Sequence, residues 1–304
     1  MTALLQIVFD ALSLGSLYAL GALGIALIFG VMRLVNFAHG DYISFCVFAL
    51  LYPSTEAAAY MFLGVLPFYV LLPLVLLIGA GLSVLSEILV FRRFRTANPA
   101  TMMIASFALG FVIKYFLLML YSSRPKSIDL WQPLSMQIEI LGARIPILQI
   151  VTIAATLIVL VALTTFLKRT RYGLEMRAAA ENFTMARMLG VRANAVIMAA
   201  FAISGMLAAG VGLILVTQTG TVDIQMGVSV MLVAFIATVI GGLGSLSGAV
   251  IAGFLIGAIS VLMQVVLPLE ARPFRDAFVY GAVIVSLLWR PQGLFAPKSA
   301  KQRV

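Results

Sequence analysis

Residues 146–167 read PILQIVTIAATLIVLVALTTFL, and residues 168–192 continue KRTRYGLEMRAAAENFTMARMLGVR. The first half holds no charge over the roughly 20 apolar residues that a helix needs to cross a bilayer. The second half is the longest charged segment of the chain, with Lys168, Arg169, Arg171, Arg177, Arg187 and Arg192 against Glu175 and Glu181. Another apolar run begins at Val196. Oily run, basic turn, oily run: this is a polypeptide that crosses a membrane and returns. After Gly173, the apolar residues Leu174, Ala178, Met185, Met188 and Leu189 fall near helical spacing, and Gly190 offers a stop. Two readings of the basic stretch are open. It is a short amphipathic helix available to be gripped by another protein, or a positively charged loop that only fixes topology.

Composition sets the class. Of 304 residues, 63% are hydrophobic and 10% are charged. A soluble domain of this length could not hide so much apolar surface, so the bilayer is its solvent. Lipid-exposed strand edges are not tolerated there, which leaves a helix bundle or a closed barrel. The apolar runs are continuous rather than alternating, and that excludes the barrel. The expected fold is all-α, a polytopic integral membrane helix bundle. A net charge of +9 could suggest nucleic acid, but the basic residues gather at the ends of apolar runs, where they set orientation. The expected surroundings are membrane lipid, with no nucleic-acid partner. A single cysteine, Cys46, excludes an internal disulfide. The N-terminus lacks a basic region and a cleavage site, so the first span should act as its own insertion signal.

Working outward, apolar runs cover residues 4–32, 43–52, 57–91, 100–121, 146–167, 196–218, 227–240, 249–266 and 277–289. Arg92, Arg93 and Arg95, the central basic stretch, and Arg290, Lys298, Lys301 and Arg303 should share the cytoplasmic side. They do so if the N-terminus is outside and the C-terminus inside, which gives nine crossings. Eight result if residues 43–91 fold as one broken hairpin or penetrate partway. About 8–9 transmembrane helices are therefore expected in one domain over residues 1–304, with 168–192 as a cytoplasmic loop and 290–304 as a short cytoplasmic tail.

Three polar or glycine-rich features carry candidate chemistry. VNFAHGDY (35–42) sets Asn36, Phe37, His39, Gly40 and Asp41 between apolar runs, with Gly40 allowing an irregular backbone. Polar residues at membrane depth are tolerated against protein or a water-filled path, so this is either the lining or gate of a translocation path or an ordinary interfacial turn. GGLGSLSG (241–248) fails as a phosphate loop, because no lysine follows. Gly244/Gly248 and Gly253/Gly257 instead have the spacing that lets helix backbones approach in lipid. No metal site is expected, since His39 is the only histidine. Lys114 lies inside a span and reads as a snorkelling side chain, and Glu87 reads as sitting at the inner interface. No nucleophile is paired with a base, so no catalytic residues are assigned.

MRLVNFAHGDY (32–42), RYGLEMRAAAENFTMARMLGV (171–191), GGLGSLSGAVIAGFLIG (241–257) and WRPQGLF (289–295) occur in this order. Together they resemble the smaller membrane subunit of the branched-chain amino acid ABC transporter permeases (LivH type), from about Leu5 to Phe295. The resemblance implies a multi-pass permease subunit of the bacterial inner membrane, importing branched-chain or related hydrophobic amino acids by alternating access. It implies a second permease subunit, two cytoplasmic ATPase subunits and a periplasmic substrate-binding protein. ATP would be bound by those partners, and this chain would be no enzyme and hold no cofactor. AAENFTMARMLGV looks like the loop that docks in the ATPase groove, so Gly173, Ala180, Glu181, Ala186 and Gly190 would carry the coupling contact. Two alternatives remain: the same permease type serving urea, short amides or another small polar solute, and an ion-coupled secondary carrier. The carrier is disfavoured because no carboxylate pair falls at mid-membrane.

Overall fold

The computed structural model describes residues 2–289 apart from 57, 96, 132–135, 141 and 182. The tail expected at 290–304 lies outside the described residues. In chain order the helices are α1 (Thr2–Met32) and α2 (His39–Phe48), then α3 (Phe68–Ser86). Helix α3 runs on through a π-helical turn at Glu87–Phe91 and finishes at Arg92–Phe94. Then come α4 (Pro99–Tyr121), α5 (Ile147–Arg169), α6 (Arg171–Glu181) and α7 (Phe183–Met188). The last four are α8 (Ala193–Thr219), α9 (Met226–Gly241), α10 (Leu246–Val266) and α11 (Arg275–Trp289). Among the described residues, six helices (α1, α3, α4, α5, α8 and α10) are long and apolar enough to cross a membrane, and α9 is a shorter apolar helix. The polytopic helix bundle expected from composition is the fold found. Among the described residues, strand forms two short antiparallel ladders: β1 (Lys126–Ser127) with β4 (Thr221–Val222), and β2 (Gln137–Ile140) with β3 (Ala143–Pro146).

The runs at 43–52 and 57–91 depart from the expected spans. Helix α2 stops at Phe48, and ten residues rise only about 15 Å, half a hydrocarbon core. The next long helix starts at Phe68, after Pro67. Between them the backbone is irregular, and its polar groups are met individually. The buried carbonyl of Leu50 accepts from Phe62 N at 2.8 Å and Gly64 N at 3.2 Å, and Tyr52 N donates to Tyr60 O at 2.7 Å. Tyr121, at the end of α4, donates its hydroxyl to Leu51 O at 3.2 Å. Lys126 donates to Ser54 O at 2.5 Å. The segment is thus pinned by its neighbours in place of its own helical hydrogen bonds, as buried backbone requires.

The described residues gather into two compact units, one drawn from those within 2–26, 131–164 and 233–289, the other from those within 27–130 and 165–232. In the first, α10 lies tight against α1. A Cβ at Gly253 would stand 2.7 Å from Ala19 Cα, and one at Gly257 would run into the backbone of Gly15. The α5 residue Gln149 donates Nε2 to Asp10 Oδ1 at 2.7 Å, which satisfies an acid on the apolar helix α1. In the second unit α3 and α8 cross at glycines. A Cβ on Gly79 would run into Gly205 O, and one on Gly205 into Gly79 O. In lipid such approaches are gained through dispersion alone, because the solvent is as apolar as the side chains, and small residues maximise it.

The crossing supplies a test. Gly205→Leu should cost about 1–3 kcal/mol through overpacking and lower the thermal midpoint of the detergent-solubilised protein. Gly81→Ala, which meets nothing within 4 Å, should leave that midpoint unchanged. Equal midpoints for the two variants contradict the packing described.

Candidate functional site

The basic stretch at 168–192 forms a sharp corner. Helix α5 ends at Arg169 and α6 begins at Arg171, with Thr170 as the joint. Its Oγ1 donates to Phe166 O at 2.7 Å and accepts from Gly173 N at 3.0 Å, which caps an N–H that the first turn of α6 leaves without a helical partner. Gly173 lies inside the first turn of α6 rather than ahead of the helix. A Cβ there would run into Phe166 O and the Leu167 backbone, so its hydrogen lets α6 fold back over the end of α5. The amphipathic helix expected as one element is two, α6 and α7, on either side of residue 182, which is outside the described residues. Helix α7 ends in paired bonds, Gly190 N to Arg187 O and Val191 N to Ala186 O, each at 3.0 Å, with Gly190 at φ +87°. That left-handed residue is the geometry a glycine stop supplies.

The two sides of this corner differ. Gly173, Met176, Ala179 and Ala186 are buried, and Ala180 is half-buried. Glu181 and Gly190 are exposed, together with Leu174, Met185, Met188 and Leu189. Leu189 is 85% exposed, and Arg177 and Arg187 beside it are exposed too. The apolar spacing visible in the sequence therefore does not describe one buried face. Part of it packs inward and part stands bare, and bare apolar side chains flanked by charge mark a surface suited to a protein partner. The Arg171–Glu175 pair, at 3.4 Å with Arg171 91% exposed, adds only a few tenths of a kcal/mol.

The VNFAHGDY segment is a turn that leads into α2. Asn36 Oδ1 accepts from Ala38 N at 3.1 Å, and Phe37 N donates to Ser106 Oγ of α4 at 3.3 Å. The Phe37 ring stacks on Phe107 with centroids 4.1 Å apart. His39 and Asp41 are helical and buried, and so is Gly40. The irregular backbone lies before them at 33–38, and Gly40 serves close packing. A Cβ on Gly40 would stand 2.9 Å from Val228 Cα at the start of α9. His39 Nδ1 is 3.3 Å from Ser204 Oγ on α8, and Ser44 Oγ donates to Ile224 O at 2.9 Å while accepting from Gly227 N at 3.2 Å. His39 Nε2 and Ser83 Oγ are buried without a hydrogen-bond partner. The Asp41 carboxylate lies over Gly110, where a Cβ would be 2.5 Å from Oδ2, and Lys114 one turn along α4 is the cation whose field reaches it. Tyr42, Ser83, Ser106 and Ser204 were not singled out from sequence, because a lone hydroxyl in an apolar run carries no periodic signal.

The glycine-rich stretch at 241–248 is a turn followed by a capped helix. Gly242 and Gly244 have φ of +98° and +87°, and Ser245 caps α10 by accepting from Gly248 N at 3.2 Å. Gly248 closes on Gly241, whose carbonyl a Cβ would strike. Gly244 thus lies in the turn, while Gly253 and Gly257 lie on the α10 face against α1. Among the described residues, no three His, Cys, Asp or Glu side chains converge.

Six of the described helices, long and apolar enough to cross a membrane, mark a polytopic membrane protein. The profile described as "Branched-chain amino acid transport system / permease component" matches residues 7–288, and the chain belongs to that family. It is a multi-pass protein of the inner membrane. The chain is 29% identical over 301 residues to the high-affinity branched-chain amino acid transport system permease protein BraD of Pseudomonas aeruginosa, covering 95% of each. It is 29% identical to LivH of Escherichia coli, a protein of the same description, covering 95% of this chain and 94% of that one. The autoinducer 2 import system permease protein LsrC of Escherichia coli is 30% identical over 44% of this chain and 40% of its own length.

The His39–Ser204 contact is testable. Ser204→Ala leaves a wholly buried imidazole with neither nitrogen paired, at a cost of about 1–3 kcal/mol. The solubilised protein should melt lower, and an unchanged midpoint contradicts the contact.

Proposed function

We propose that this chain is one membrane subunit of an ATP-driven importer that carries branched-chain or related hydrophobic amino acids inward by alternating access. Its relatives over nearly full length are permease proteins of high-affinity branched-chain amino acid systems, which supports the substrate class. The observation that carries the reading is the α6–α7 corner. It presents Leu174, Met185, Met188 and Leu189 to solvent on a segment anchored at both ends to long apolar helices. A chain without a nucleotide loop needs an engine, and this corner is where one can grip.

In this reading two ATPase subunits bind the corners of this chain and of a second permease subunit on the cytoplasmic side, and a periplasmic binding protein delivers the solute. Glu181 and Gly190 lie on the gripped surface with Leu189. Gly173 lets α6 fold tightly onto α5, and Ala180 and Ala186 brace it from beneath. ATP drives transport only if the ATPases hold the inward- and outward-facing states with different free energies. Asn36, Phe37, His39, Gly40 and Asp41 act as the gate: they place polar groups and an irregular turn at the head of a half-length helix within the apolar bundle. The partial likeness to an autoinducer 2 permease favours one second reading, the same machine serving another small polar solute.

The test is uptake into proteoliposomes that hold the chain with its partner subunits. Leucine uptake should require ATP and a loaded binding protein, and Leu189→Ser should lower both ATPase co-purification and uptake. Uptake driven by an ion gradient through this chain alone contradicts the proposal and favours a carrier. Uptake of urea or a short amide in place of leucine moves the reading to the second solute class.

A further inference from the structure

At the end of α3 a buried carboxylate is paired with two partly exposed arginines. The Glu87 carboxylate is wholly buried. One oxygen is 3.0 Å from Arg92 Nη2 and the other is paired with Arg95 Nη2. The π-helical turn at Glu87–Phe91 makes this pairing local. In a regular α-helix residue i+5 stands about 140° round from residue i, and the wider turn brings Arg92 back toward Glu87. The two arginines and Phe91 beside them reach across to α8. Arg95 Nη1 donates to Asn194 Oδ1 at 2.5 Å, Arg92 Nη2 lies 3.2 Å from Met198 Sδ, and the Phe91 ring is 5.2 Å from that of Phe201. Asn194, Met198 and Phe201 are spaced as one stripe of a helix, and the next turn of α8 carries Gly205, jammed against Gly79. Helix α8 begins at Ala193, three residues after the Gly190 stop of the exposed corner.

We infer that the Glu87–Arg92–Arg95 cluster is a latch that makes α3 move with α8 when the α6–α7 corner is displaced. The inference rests on the corner being the ATPase contact. Burying the Glu87 carboxylate is costly unless it stays paired, so it holds the two partly exposed guanidinium groups in place more than it adds net stability. Phe91 and the glycines hold α3 and α8 together. Glu87 holds Arg95 on Asn194 and Arg92 beside Met198, and these two contacts across the seam fix its register, so a push at the start of α8 reaches α3 as translation rather than being lost as slip. Glu87 is thus a positioning residue, acting through Arg92 and Arg95, and touches no solute.

The test uses the full transporter in proteoliposomes and reads solute moved per ATP hydrolysed. Glu87→Gln should assemble and retain basal hydrolysis while that ratio falls by about tenfold, within the usual range of coupling energies. Should Glu87→Gln fail to assemble, because two guanidinium groups lose their counter-charge, the neutral triple variant Glu87→Gln, Arg92→Gln, Arg95→Gln decides. It is expected to assemble and to be equally uncoupled. An assembled variant with the unmodified ratio overturns the latch, and so does a triple variant that cannot assemble, since the charges would then be structural. Leu189→Ser, run in parallel, separates the two claims. If it uncouples and Glu87→Gln does not, only the latch fails; if neither uncouples, the corner is not the ATPase contact.

Discussion

Two helix backbones in lipid approach closely only where no side chain stands between them, and this constraint governs the α3–α8 seam. Gly79 and Gly205 each occupy the space that the other's Cβ would need. Around that crossing the second unit arranges its few polar groups. Ser204 adjoins Gly205 and faces His39, Ser83 packs against Gly205, and the Glu87 cluster lies at the end of the same helix pair. The serine hydroxyls fit at the seam because close backbone contact favours small side chains, and the His39 imidazole reaches Ser204 from α2. Polarity at this depth follows from close packing, and function can use it only as that packing allows.

The short helix α2 follows the same logic. Its Gly40 meets the start of α9, and Ile43 and Val47 meet Gly212 of α8. A helix of this length has many end groups for its size, and end groups must be satisfied from outside the helix. Asn36, Ser106 and main-chain carbonyls do that work. The resulting element is held in place by its neighbours rather than by its own ladder of hydrogen bonds.

Much of this was legible in the sequence, for identifiable reasons. The runs at 100–121, 146–167 and 249–266 are long, apolar and ended by polar residues, and each became a helix close to those bounds. Gly190 was readable as a stop, because a left-handed residue after an apolar helical pattern is a local signal. The run at 43–52 misled, since apolar composition reports burial and not length of helix; Phe48 ends α2 although Leu50 and Leu51 remain buried. Gly40 looked like a break and proved to be helical, because glycine serves close approach as readily as turning. The Glu87 cluster was visible only as charges near a helix end. Its partners on α8 lie about a hundred residues away, and no local pattern encodes that distance.

What unites the two halves of the account is a corner at 171–190 that is oily, basic and bare. If it is the grip of a cytoplasmic engine, a cysteine placed at Met188 tests it most directly, in a chain whose native Cys46 is buried. In sealed membranes of known orientation, an impermeant thiol reagent should label that cysteine from the cytoplasmic face alone, and labelling should fall when the ATPase subunits are present. Labelling from the opposite face, or labelling indifferent to the ATPases, would contradict it.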